Sequence, residues 1–135
     1  KKKYCVSYFI YDLKGFFLIR KRSIKEILGG MYEIPSSLWE SSNLWESSKK
    51  FPNIESIKLG KNYKPIFSNK VIKHDFSHFT LFSKVIIIKK EKLIKNSIKG
   101  QWVNKSTIKR FPISNLTKKV IDYSLEEISS LKKFL

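Results

Sequence analysis

Cysteine is nearly absent: the chain holds one, Cys5. A lone thiol closes no disulfide within the chain and builds no four-cysteine zinc or iron–sulfur site. A reducing setting is therefore expected: the cytoplasm, nucleoid-associated if the source is bacterial. Arginine is scarce too. Arg20, Arg22 and Arg110 are its only positions among 28 basic residues. Acidic residues number 11, which leaves a formal net charge of +17. That excess favours a polyanion such as nucleic acid or an acidic membrane surface. It equally fits the bias of an AT-rich coding sequence, rich also in Ile, Ser, Asn and Phe, with many lysines merely solvating the surface. Long apolar runs are missing as well. The longest aliphatic one, Val85 to Ile88, falls far short of the roughly 20 residues of a membrane span, and no secretory leader is evident. No membrane partner is expected. The chain starts at Lys1 without a methionine, so it reads as a processed chain or a piece of a larger protein.

What is present suits one domain. The chain has 135 residues, 41% of them hydrophobic, and its ten Phe, six Tyr and three Trp promise a bulky core. Tyr4 to Tyr11 is β-branched and aromatic and reads as a strand. Asp12-Leu13-Lys14-Gly15 reads as a turn with positive φ at the glycine, and Phe16 to Arg22 as the returning strand. Leu28-Gly29-Gly30 is a tight loop, and Met31 to Ile34 a short strand stopped by Pro35. Residues 36–62 are the least regular and carry a near-repeat, LWESS at 38–42 and again at 44–48. Its tryptophans would fall about 240° apart on a helix, so one long helix does not bury both. A short helix in 41–50 or 53–58 fits better.

Val71 to Phe76 and Phe79 to Lys89 read as a hairpin around Asp75-Phe76-Ser77-His78. Phe79, Leu81, Val85 and Ile87 share one face by the period of two. Gly100 to Asn104 is a further short strand. Ser114 or Asn115 can cap a helix in which Leu116, Val120, Ile121, Leu125, Ile128 and Leu131 recur at helical spacing over 115–131. Strands followed by a closing helix make an α+β domain on one mixed sheet.

The residues offer four candidate chemistries. His74 and His78 lack a third metal ligand nearby, Asp75 being a lone carboxylate, so no metal site is expected; the plain reading is a strand-end histidine bonded to backbone. Glu33, Glu40 and Glu46 follow a Gly-Gly, which invites comparison with nucleotide pyrophosphohydrolases of the Nudix class. Those need a helix with an Arg-Glu and then a Glu-Glu pair, so that carboxylates converge on magnesium. Residues 36–58 hold no arginine and no paired acids, and the single glutamates read as surface residues. Ser77 beside His78 lacks the geometry and the glycine elbow of a nucleophile. No catalytic residue is therefore expected. Nucleic-acid contact remains: an aromatic to wedge or stack, a hydroxyl to read a base edge, and Lys73 and Lys84 to hold phosphates. On residue chemistry alone, an ordinary β-turn with a buried Phe is an equal reading.

Three stretches together decide between them. GFFLIRKRSIKEILGGMYEIPSS, HDFSHFTL and GQWVNKSTIKRFPISNLTKKVID stand in the right order, over about residues 4–125. They resemble the C-terminal domain of adenine DNA glycosylases of the MutY type. Tyr32, Ile34 and Ser36-Ser37 depart from the Trp, Phe and Gly-Gly usual there.

The resemblance implies a Nudix-like mixed β-sheet flanked by helices, without the hydrolase box. Residues 1–135 would be one recognition domain, the C-terminal part of a larger glycosylase. Its role would be to read 8-oxoguanine opposite adenine in double-stranded DNA. Excision of the adenine, and the iron–sulfur cluster, belong to a catalytic domain in cis, and this chain would need no cofactor of its own. Phe76 would wedge beside the lesion pair. Ser77 would accept from N7–H and donate to O8 or a phosphate, and His78 would bond phosphate or the lesion's edge. His74 and Asp75 would shape the turn, and lysines such as Lys73 and Lys84 would add salt-dependent affinity. Two alternatives stand beside this reading: a Nudix-type hydrolase of oxidised nucleotides, and a pure protein-interaction module.

Overall fold

Strand β1 (Lys2–Tyr11) lies at the centre of the sheet. Every residue from Cys5 to Ile10 is buried, as expected of a strand covered on both faces. A computed structural model describes residues 1–41, 63–90 and 100–133. The other strands are β2 (Phe17–Lys21), β3 (Tyr32–Glu33), β4 (Tyr63–Asp75), β5 (Thr80–Lys90) and β6 (Gln101–Val103). They form a six-stranded mixed sheet in the order β3-β2-β1-β5-β4, with β6 also paired to β2. β1 and β5 run parallel; β1–β2, β2–β3, β2–β6 and β4–β5 are antiparallel. Helix α1 (Asn115–Lys133) follows a short 3-10 helix at Thr107–Arg110.

The first hairpin turns as its residues require. Asp12 Oδ1 accepts from the Lys14 and Phe16 amides, both at 2.9 Å, and Gly15 has φ +89°. β1 and β2 then diverge, being paired only at Tyr11 and Phe17. The freed edge of β1 is taken by the segment after Pro35, a contact that residues 36–62 gave no sign of. Tyr8 N–H donates to Pro35 O, Ser37 N–H to Val6 O, and Tyr4 and Glu40 exchange both bonds. Residues 35–40 thus form an extended strap along β1. The helix expected within 41–50 or 53–58 and the second LWESS copy lie outside the described residues.

The sheet's two faces follow the period of two. On one, Cys5, Phe9, Phe17, Ile19, Phe79, Leu81, Val85 and Ile87 pack with Leu116, Val120, Ile121 and Ile128 of α1. On the other lie Val6, Tyr8, Ile10, Leu18, Ile86 and Ile88. The expected face of β5 and the expected stripe of the helix therefore meet each other. Ser114 is the cap: its Oγ accepts from Thr117 N–H at 3.2 Å, satisfying one open donor of the first turn. Cys5 sits inside the first cluster, 3% exposed, and burial raises its thiol pKa to about 12. It stays protonated and unreactive there.

One strand and one side chain differ from expectation. β4 starts at Tyr63 instead of Val71, and its ladder shifts register between Phe67 and Val71. Pro65 is tolerated because β4 is an edge strand. Glu33, expected at the surface, is buried at 7% exposure.

Candidate nucleic-acid interface

The β4–β5 ladder closes at the Asp75–Thr80 pair. Asp75 Oδ1 accepts from Thr80 Oγ1 at 2.7 Å, a bond that lowers the carboxyl pKa. Phe76 N–H donates to Phe79 O at 2.8 Å and completes the turn. Ser77 and His78 are the exposed residues at its apex. Phe79 points into the core beneath them.

Phe76 is half-buried. Its ring stacks on Phe79 at 4.9 Å, lies 5.5 Å from Trp39, and meets His74 edge-on at 4.8 Å. Trp39 also meets Phe79 at 6.1 Å. The apex therefore rests on four packed rings, contributed by β4, the turn and the strap. Such aromatic pairs each add about 0.5–1.5 kcal/mol beyond area burial, which holds Ser77 and His78 out on a fixed base.

Beyond Trp39 lies a buried ion-pair group. Arg22 stacks on the Trp39 ring at 4.3 Å. Its guanidinium donates to Glu33 Oε1 at 2.8 Å and to Ile27 O at 2.8 Å, and pairs with Glu26 at 3.1 Å. Arg20 donates to Glu33 Oε2 at 2.9 Å and to Ser36 O at 2.7 Å. Glu33 is thus clamped by two arginines two residues apart, Arg20 on β2 and Arg22 just past its end. The 23–30 loop wraps this group closely. A Cβ on Gly29 would lie within 2.7 Å of Ile24 backbone, while Leu28 and Gly30 take positive φ.

His74 faces α1. Lys119 Nζ lies 3.2 Å from its Nδ1 and 3.4 Å from Lys73 O. Lysine has only donors, so Nδ1 accepts and the neutral ring carries its proton on Nε2. Desolvation lowers the His74 pKa first and the Lys119 charge lowers it further, against Asp75. The same ammonium disfavours a second cation at this ring. A base whose folded pKa lies below its unfolded value of 6.5 contributes most stability above that pH and loses it as pH falls. Lys119→Gln should raise the His74 pKa part of the way back, as followed by NMR titration of its ring protons. An unmoved titration would mean that Lys119 does not face the ring.

Of the two lysines expected at the tip, Lys73 is exposed two residues before the end of β4. Lys84 is half-buried, four residues down β5 from Thr80 and about 13 Å away. Opposite Phe82 and Val71 respectively, both lie on the sheet face away from His74. Other cations come closer to the turn. The parallel register sets Lys2 beside Thr80 and Lys3 beside Leu81, and Thr80 N–H donates to Lys1 O at 2.9 Å. Lys3 Nζ lies 4.7 Å over the Phe79 ring. Lys1–Lys3, Trp39 and Lys119 are the neighbours that sequence reasoning missed; each comes from a segment distant in the chain.

The NUDIX domain family profile matches residues 6–123. No curated protein sequence matches the chain. Among solved structures, the crystal structure of the complex between the C-terminal domain of mouse MUTYH and human PCNA contains a similar chain. The TM-score is 0.65 at 16% identity, over 96% of this chain and 91% of that one. A Nudix hydrolase from M. Smegmatis, RenU, is similar at a TM-score of 0.59 and 9% identity, over 94% and 86%. At these identities the likeness is one of fold.

Proposed function

The chain belongs to the NUDIX domain family, and from that premise we propose that it is a lesion-reading domain and not a hydrolase. In this reading it recognises 8-oxoguanine opposite adenine in duplex DNA, on behalf of a glycosylase catalytic domain joined to it in the full protein. The observation that carries the reading is the apex itself: Ser77 and His78 exposed on a turn braced by four rings. 8-Oxoguanine presents a donor at N7 and an acceptor at O8, where guanine presents only the N7 acceptor. A hydroxyl both accepts and donates, so Ser77 matches the oxidised edge. In this reading His78, exposed beside Ser77, bonds a phosphate or the same edge, and the basic residues Lys1–Lys3, Lys73 and Lys119 surround the turn with positive charge. Part of the Phe76 ring remains open to a neighbouring base.

The reading is tested by fluorescence anisotropy with duplexes that differ at one base. Tighter binding to 8-oxoguanine:adenine than to guanine:adenine at equal salt is the expected result; equal affinities would refute it. The family's hydrolytic members supply the rival. Residues 36–58 lack the arginine and the paired acids that gather magnesium around a diphosphate. Purified chain with magnesium and 8-oxo-dGTP should accordingly release no pyrophosphate above a buffer blank. Turnover in that assay would favour a hydrolase.

A further inference from the structure

From the cleft between β2, the 23–30 loop and the strap, we infer that the domain carries a phosphate-binding site one ring away from the hairpin tip. The cleft has a volume of about 480 Å³, and Lys3, Arg20, Lys25, Ser36 and Trp39 are among its lining residues. Ser36 Oγ is buried without a hydrogen-bond partner among the described residues. Buried polar atoms are nearly always satisfied, so this hydroxyl calls for a group that the described residues do not provide.

Its neighbours define that group. Arg20 donates Nη2–H to Ser36 O at 2.7 Å and Nε–H to Glu33. Its Nη1 has no partner among the described residues, and its side chain is 41% exposed. Lys3 and Lys25 make no ion pair among the described residues. Of the two carboxylates in the lining, Glu26 is held by Arg22, and Arg20 is already held by Glu33, which leaves Glu40 as the lining counter-charge to Lys3 and Lys25. The donors come from four segments: β1 (Lys3), β2 (Arg20), the loop (Lys25) and the strap (Ser36). A planar carboxylate uses donors in one plane. A tetrahedral phosphate uses donors from several sides, with the remaining Nη1 of Arg20, point-charge lysines and a hydroxyl as complementary partners.

The source favoured by the fold is the DNA backbone, an assignment that rests on the lesion-reading role. Trp39 lines the cleft and also touches Phe76 and Phe79. A strand whose lesion reaches Ser77 would pass a phosphate to the cleft across this ring.

The test uses an undamaged short duplex and, separately, a nucleoside monophosphate. Ser36→Ala removes the orphan hydroxyl, so the free chain should melt at a higher temperature. The same variant should weaken duplex binding about tenfold, the loss of one hydrogen bond to a charged group. Lys3→Gln should reduce the slope of log K against log salt by about 0.9. If Ser36→Ala raises the melting temperature and leaves both affinities unchanged, the hydroxyl is only imperfectly packed and the inference is overturned. Dependence on Ser36 and Lys3 for the monophosphate but not the duplex upholds the site and assigns it a free nucleotide. Because the duplex carries no lesion, failure here leaves the Ser77 reading standing, and lost lesion preference leaves this site standing.

Discussion

Replacing Glu33 with alanine is expected to destabilise the domain by about 3–5 kcal/mol, the range for breaking a buried ion pair from one side. Glu33 is 9% exposed at its side chain, and Arg22 is 8% exposed. Truncation leaves the Arg22 guanidinium buried with Glu26, itself 48% exposed, as its remaining carboxylate. An uncompensated buried charge is expensive, whereas the intact pair need not stabilise more than an apolar substitute would. Arg20→Ala should cost far less, because Arg20 is 41% exposed and solvent screens such pairs to about 0–1 kcal/mol. Urea denaturation of the two variants and the parent at neutral pH makes the comparison. A Glu33→Ala loss under about 1 kcal/mol would show that Arg22 finds water instead. The damage should also spread locally. Arg22 holds Ile27 O and the Trp39 ring, so amide exchange should speed up in the 23–30 loop and the strap before the central strands respond.

Glu33 also shows where local pattern stops being informative. A single glutamate near serines reads as a solvated residue, and nothing adjacent predicts burial. Its partners are set by the antiparallel register of β2 and β3, which places Arg20 opposite Glu33. By contrast, the face of β5 and the stripe of α1 were legible, because each depends only on a residue's own neighbours along the chain. So was the first turn, since Asp12 and Gly15 carry its geometry themselves. The tip was legible as a turn between two strands, which pair as far as Asp75 and Thr80. Its surroundings were not. Lys1–Lys3 reach it through a parallel pairing with a strand almost eighty residues later, and Trp39 reaches it through a strap that occupies the fork between β1 and β2. Pairings of that separation follow from the topology of the sheet. The early part of β4 was missed for a different reason: Ser68-Asn69-Lys70 interrupts the alternation where the ladder itself shifts register.

Ser77→Ala should reduce the preference for 8-oxoguanine:adenine over guanine:adenine by about 1–3 kcal/mol, roughly 5- to 150-fold, the worth of one good donor–acceptor pair at a base edge. The residue is exposed at the apex and its removal disturbs no packing, so the melting temperature should stay where it is. Affinity for undamaged duplex should change little, because that affinity comes from phosphate contacts. Ser77→Thr keeps the hydroxyl and should retain most of the preference. Phe76→Ala differs in kind. It removes a ring stacked between Phe79 and Trp39, so it should lower both stability and lesion preference, the latter by releasing the base on which Ser77 stands. The double variant should then lose less preference than the two single losses added together, since a loosened turn no longer positions the hydroxyl. A protein-interaction module with a merely structural turn predicts no change in preference for any of these variants. That outcome, with folding intact, would remove the lesion-reading role from this hairpin.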